Sequence, residues 1–294
     1  MNSSRAANGL RTLWLRMPSV FLSSLLICLG SGVLLAFQYQ PAGGDEVMRS
    51  VEEITTLIPY GFFLRRLHFA SGQTCAILAI LHTGRYFLKK TYGRTAPAEW
   101  TRLALGLAVC LLLVLTGFIL KGDAEGVRAG TVLASLLREI PLIGPVLSGF
   151  AVGQGNSFFM PPFLLHCLIL PPILLLLLGK HIRVRLPAQS TFAATALVLG
   201  GWSLIVPMAL PALSGDPAAE ATGPWLFLGL QAMLMRLPPL LCGVTLPAGL
   251  FTLFCVLPIL RGTRAAAAHN LLLAFAAMYA ALSLGFVLYS SIFV

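Results

Sequence analysis

Apolar runs of about 20 residues, the length a helix needs to cross a bilayer, recur along this whole chain and constrain its fold more than any other feature. Seven can be read, near 18–38, 60–86, 102–121, 161–181, 190–211, 238–260 and 268–291. Hydrocarbon offers no water to backbone N–H and C=O groups, so such segments are expected to be helices. Only 10% of the 294 residues are charged, where a soluble domain carries about 25%. The expected fold is an all-α integral membrane protein with about seven transmembrane helices.

Charge then orients the chain. Thirteen of the 20 basic residues (Arg5, Arg11, Arg16, Arg85, Lys89, Lys90, Arg94, Arg102, Lys180, Arg183, Arg185, Arg261 and Arg264) fall on the N-terminal side of the predicted membrane. Nine of the ten acids fall on the other side, leaving only Glu99. The positive-inside rule counts the bases and puts the N-terminus in the cytoplasm and the C-terminus outside. The net charge of +10 is thereby explained by topology, with no nucleic-acid partner required. Residues 1–17 read as a cytoplasmic segment without the short apolar core and cleavage pattern of a signal peptide. Six cysteines stand singly in apolar segments, with no C-x-x-C or C-x-x-C-H pattern, and read as small buried hydrophobes. Between the third and fourth spans, 132–139 followed by Ile140-Pro141 predicts a short amphipathic helix at the outer interface. A second is predicted over 225–236.

Histidines carry the chemistry. His68 and His82 lie in the second span, His166 and His181 in the fourth, 14 and 15 residues apart. At 100° and 1.5 Å per residue, each pair returns to within about 40–60° of one helix face, with roughly 21–22 Å between its members. Both spans run inward, so His68 is expected opposite His166 near the outer surface and His82 opposite His181 near the inner one. Paired imidazoles suit a six-coordinate haem iron with no open position, which is an electron-transfer arrangement. Titratable groups at membrane depth are functional by default. The chain is therefore expected to hold two haem b groups in a four-helix bundle over 18–187, with three further helices over 188–294. His269, at a predicted cytoplasmic helix start, reads as an ordinary surface residue.

These segments resemble the cytochrome b of quinol–cytochrome c reductases and its chloroplast-type split relatives, with the following subunit fused on. The second span has Arg65-Arg66-Leu67-His68 and His82-Thr83-Gly84-Arg85, similar to the family's R-x-x-H and H-x-G-R. The fourth has His166 through Pro171, similar to H-x4-P, with the 15-residue histidine spacing of the chloroplast type. Ile140-Pro141-Leu142-Ile143-Gly144 is similar to the I-P-x-I-G beside the outer quinol pocket. The resemblance implies that Arg65 and Arg85 neutralise haem propionates, and that Gly32 and Gly117 let the outer porphyrin press on the first and third helices.

The chain also departs from the family. Pro224 stands where the PEWY motif has its proton-accepting glutamate, and Lys121-Gly122-Asp123 replaces a P-W-G turn. Pro18 and Leu103 replace the glycines that face the inner haem. Glu139 is then the nearest candidate for an outer base, with Asp123 and Glu125 as alternatives. The expected function is a quinone-linked oxidoreductase subunit, with quinone as substrate, active only within a complex in the bacterial inner membrane. The expected partner is an iron–sulfur protein or a multihaem cytochrome c, and the resemblance leaves room for a homodimer. A conduit without an outer quinol site, and more remotely a haem-free transporter or scaffold, are the competing readings.

Overall fold

A computed structural model of the chain describes residues 2–43, 45–184, 186–208 and 223–293, and these are helical almost throughout. Helix α1 (Asn2–Ala36) is followed by α2 (Asp45–Thr56), α3 (Gly61–Leu88) and α4 (Pro97–Ile119). Next come α5 (Ala124–Arg138) and α6 (Gly144–Ala151). Then α7 (Met160–Leu164), a π-turn (Leu165–Ile169) and α8 (Leu170–Val184) continue without a break. After α9 (Gln189–Ile205) come α10 (Leu228–Leu234), a second π-turn (Leu240–Thr245) running into α11 (Leu246–Val256), and α12 (Gly262–Phe293).

Trp14–Ala36, Pro97–Ile119, Gly155–Gly179 and Gly262–Tyr289 are each long and apolar enough to cross a membrane. The fold is an all-helical membrane fold, with four described stretches meeting both requirements where seven spans were predicted. Helix α3 has the length, at 28 residues, but its stretch between Arg66 and Arg85 includes His68, Gln73 and His82 and is less apolar. Helix α9 is shorter, at 17 residues.

Helices α1, α3, α4 and α8 form the bundle, with α1 packed on α3, α3 on α4 and α4 on α8. Its middle layer is Leu22, Leu25, Cys75, Val109, Cys110, Leu170 and Leu174. Cys75 and Cys110 act there as small apolar residues. A second core, Val47, Ile119, Ala134, Val152 and Phe159, closes one end. Helix α2 joins it through its apolar face, burying Val47, Val51 and Ile54 while Glu46, Glu52 and Glu53 stay exposed. The third core, Phe87, Tyr92, Trp100, Leu257 and Ala268, ties the bundle to α11 and α12. There Trp100 is fully buried and its Nε1–H donates to Phe254 O at 2.7 Å.

Several elements differ from expectation. Helix α1 begins at Asn2 instead of near residue 18, and Pro18 sits inside it. Helix α5 begins eight residues before 132, because Asp123 caps it by accepting from Gly126 N–H at 2.9 Å. Over 225–236 the chain forms a 3-10 turn (Trp225–Phe227) and the seven-residue α10. The Trp225 indole donates to Gln73 Oε1 at 2.8 Å. Gln73 lies twelve residues along α3, roughly 18 Å at 1.5 Å per residue, so this turn is tied well down the length of the bundle. His269 is not a surface residue. Only 4% exposed, it stacks on Phe87 with ring centroids 4.3 Å apart. The reason is register: α12 starts at Gly262, which puts His269 in its second turn, against α3, instead of at the helix start.

Candidate functional site

The described site is built on two histidines from helices distant in sequence. His68 is in the second turn of α3, and His166 is in the π-turn between α7 and α8. Their ring centroids are 6.0 Å apart with planes at 77°. Both rings are tied back through Nδ1. His68 Nδ1 is 3.0 Å from the Cys28 carbonyl, which can only accept, so Nδ1 carries the proton. The Thr116 hydroxyl donates to Leu112 O at 2.8 Å and therefore accepts from His166 Nδ1–H at 3.1 Å. Each ring is left with Nε2 unprotonated, the tautomer a metal ligand needs. Two metal–imidazole bonds of about 2 Å, plus about 1 Å from each nitrogen to its ring centre, put trans imidazole centroids about 6 Å apart. The observed separation fits one iron between the rings.

Glycine makes this approach possible on both sides. A Cβ on Gly32 of α1 would lie 2.8 Å from His68 Cε1, and one on Gly117 of α4 would lie 2.7 Å from His166 Cε1. These are the two glycines the sequence singled out, and what rests against them here is the imidazole itself. In each case the preceding residue bears a hydroxyl that faces the same ring: Ser31 Oγ is 3.4 Å from His68 Nδ1, and Thr116 Oγ1 performs this service for His166. Sequence reasoning missed Ser31, Thr116 and Cys28. A usable signal was there, since a hydroxyl residue directly before a glycine recurs on both helices that back the histidines.

The π-turn accounts for the unequal histidine spacing. A turn closed by i→i+5 bonds holds one residue more than an α-turn. The 15 residues from His166 to His181 therefore advance along α8 much as the 14 from His68 to His82 advance along α3. Pro171 and Pro172 follow directly and have no N–H to give the preceding carbonyls, which favours the irregular turn at this place. The backbone of His181 lies in the last turn of α8, and its side chain lies outside the described residues.

The remaining candidates are spread around the site. His82 lies against Tyr86, ring centroids 4.8 Å apart. Arg65 donates to Thr55 Oγ1 at 3.0 Å, and the Arg85 guanidinium sits 4.9 Å over the Trp14 ring. Each arginine is three residues from a histidine on the same helix. Leu103 packs against the core containing Phe87, Trp100 and Leu257. Glu139 is exposed at the end of α5, 27 residues in sequence from His166.

Asp123 is committed to structure. Besides capping α5 it pairs with Lys121 at 2.9 Å, and Lys121 also reaches Glu125 at 2.8 Å. The turn they form needs Gly122, whose φ is +71° and whose Cβ would meet Val47 Cγ1 at 2.5 Å. Asp123→Ala is expected to destabilise α5 by about 1 kcal/mol, the usual worth of an N-cap, seen as faster amide exchange over 124–130. Unchanged exchange there would show that the cap contributes nothing.

Comparisons with known proteins identify the family. The family described as "Cytochrome b/b6/petB" matches residues 3–186, well over half of the chain. The chain is 28% identical to a cytochrome b6 of Heliomicrobium gestii over 161 residues, 53% of this chain and 75% of that one. It is 29% identical to a cytochrome b6 of Cyanidium caldarium over 167 residues, covering 54% and 75%. A cytochrome b of Podospora anserina is 28% identical over 179 residues, covering 58% and 45%. Among solved structures, a chain described as "Hyperthermophilic respiratory Complex III" shares the fold with a TM-score of 0.62 and 19% identity, over 92% of this chain and 89% of that one. A membrane bundle with a paired-histidine site, matched by the family over the helices that build it, makes this chain a member of the cytochrome b/b6 family.

Proposed function

We propose that this chain is the dihaem membrane subunit of a quinol–cytochrome c reductase type complex, passing electrons between quinone and a partner redox subunit. In this reading His68 and His166 hold the outer haem b, and His82 and His181 the inner one. The observation that carries it is the His68–His166 pair, 6.0 Å between centroids, with each Nδ1 tied back and each ring seated on a glycine. When bound, each haem would supply a one-electron carrier, held by its two histidines.

The chain's own contribution is placement. Residues 18–187 form the haem-bearing unit and 188–294 a C-terminal membrane region, after a 1–17 N-terminal segment. Arg65 and Arg85, each one turn from a histidine, are the cations for the haem carboxylates, which need charge-assisted partners in a low-dielectric site. Lys180, Arg183 and Arg185, beside His181, are suited to a quinone anion at the inner surface. The distribution of basic residues favours a cytoplasmic N-terminus and a periplasmic C-terminus in a bacterial inner membrane. The chain has no C-x-x-C-H motif for a c-type haem, and in this reading electrons pass to another subunit. An iron–sulfur protein or a multihaem cytochrome c on the outer side fits that need. The neighbour's description as a respiratory Complex III supports such an assembly, in which a homodimer also has a place.

A second reading, an electron conduit with no working outer quinol site, is favoured by one specific observation. Pro224, at the motif's glutamate position, only opens a 3-10 turn, and Asp123 is held by its cap and by Lys121. Glu125 is engaged by Lys121, and Glu139, exposed at the end of α5, is the proposed outer base. A reduced-minus-oxidised visible spectrum of the purified protein, with haem quantified per chain, tests the main proposal. It should give about two low-spin b haems per chain. Absence of haem from a well-folded sample would refute the dihaem reading and favour a transporter or scaffold. Reduction of both haems by added quinol, retained in Glu139→Gln, would count against Glu139 and for the conduit.

A further inference from the structure

Around His68 the described contacts are richer than a ligand tether requires. Its Nδ1–H has three acceptors in reach: Cys28 O at 3.0 Å, Ser31 Oγ at 3.4 Å and Cys28 Sγ at 3.6 Å. The Ser31 hydroxyl spends its own proton on Ile27 O at 2.8 Å, so it meets the ring with a lone pair. The Cys28 thiol donates to His68 O at 3.7 Å, within reach for the large sulfur atom, so its lone pairs also face the ring. One residue of α1 thus touches the histidine at three points, taking the ring proton with both carbonyl and sulfur while donating to the histidine's own carbonyl. His166 has a comparable pair of partners, Thr116 Oγ1 and the Leu113 carbonyl, but no described sulfur contact.

We propose that Cys28 is a positioning residue for the outer haem, its thiol clasping His68 and lowering the midpoint potential of the iron that His68 ligates. An acceptor on the distal ring nitrogen draws the N–H proton away from the ring. The imidazole becomes more basic and donates more to the iron, which favours the oxidised state. Sulfur is a weak acceptor beside a carbonyl that already holds the proton at 3.0 Å, so the effect is modest and graded. The other cysteines of this bundle core are placed differently: Cys75 donates to Phe21 O at 3.8 Å, and no described contact joins it to a histidine. A thiol placed merely to fill space would carry no such asymmetry.

The inference rests on the proposal that His68 ligates the outer haem, and the experiment separates the two. Redox titration of the haem-loaded full chain, following each haem by its visible band and low-spin EPR signal, is run on wild type, Cys28→Ala, Cys28→Ser and Cys75→Ala. The outer haem is the one whose signal is absent in His166→Leu. Cys28→Ala is expected to raise the outer midpoint by about a threefold change in the reduction equilibrium, roughly 30 mV at 59 mV per tenfold for one electron. The inner midpoint should stay in place. Cys28→Ser, which keeps an acceptor and a donor, should return the value at least halfway to wild type, and Cys75→Ala should leave both midpoints unchanged. An unmoved outer midpoint in Cys28→Ala, an equal shift in Cys28→Ser or Cys75→Ala, or loss of the outer haem from the alanine variant would each overturn the clasp. A wild-type protein without haem would instead refute the ligation reading beneath it.

Discussion

His166→Leu should remove one haem and leave the other. Leucine occupies much of the volume of histidine without offering a lone pair, and Thr116, which already bonds Leu112 O, loses no donor it depends on. The variant should therefore insert and fold, since the bundle's middle layer, Leu22, Leu25, Cys75, Val109, Cys110, Leu170 and Leu174, does not include the histidine. Haem per chain should fall to about half the wild-type value, and the remaining b-type signal should keep its band position, because the two sites are separated by about 21 Å along the helices. His68→Leu should give the same result, since one iron needs both rings. If either variant still bound wild-type amounts of low-spin haem, the pairing of His68 with His166 would be wrong, whatever the family match. Loss of both haems from a folded protein would mean that the two sites load as one cooperative unit.

That prediction rests on features the sequence carried unevenly. The apolar spans of the four bundle helices were legible because hydrocarbon leaves the backbone no alternative to helix. The helix ends were less legible. Asp123 starts α5 eight residues before its apolar stripe becomes evident, and Gly262 starts α12 early enough to bury a histidine that reads as exposed. Caps and turn geometry decide such boundaries, and periodicity is blind to them. Within the candidate site, residue type and spacing point to the histidines, while Gly32 and Gly117 come from the family resemblance alone. The groups that orient the histidines were harder to read. Ser31, Thr116 and Cys28 act through hydrogen bonds across helix–helix contacts, and serine, threonine and cysteine in an apolar helix are commonplace. The π-turn at His166 was likewise hidden. A 15-residue spacing looks like a poorer facing than 14 until an extra residue is accommodated in the turn.

The glycines give the sharpest test of how closely the helices must approach. Replacing a helical glycine by alanine ordinarily stabilises a helix by about 0.5–1 kcal/mol, because it restricts the unfolded chain. A Cβ added to Gly30 on α1 or Gly106 on α4 would meet nothing within 4 Å, so Gly30→Ala and Gly106→Ala should be neutral or stabilising and keep full haem. Gly32→Ala and Gly117→Ala lie on the same two helices and should behave in the opposite way. Their methyl groups would fall 2.8 and 2.7 Å from the Cε1 atoms of His68 and His166, closer than carbon atoms are found. Either the ring swings away and its Nδ1 bond breaks, or the helix pair separates, at a cost of about 1–3 kcal/mol by analogy with overpacked cores. Swinging the ring would turn Nε2 away from the haem it is proposed to hold, so the expected readout is loss or high-spin conversion of the outer haem with the inner haem unaffected. The two should be of similar severity: the Cβ at Gly32 would also lie 3.1 Å from His68 Nδ1, and that at Gly117 would lie 3.3 and 3.4 Å from the two nitrogens of His166. Equal haem content across all four alanine variants would mean that the helices yield without cost, and that these glycines do not define the site.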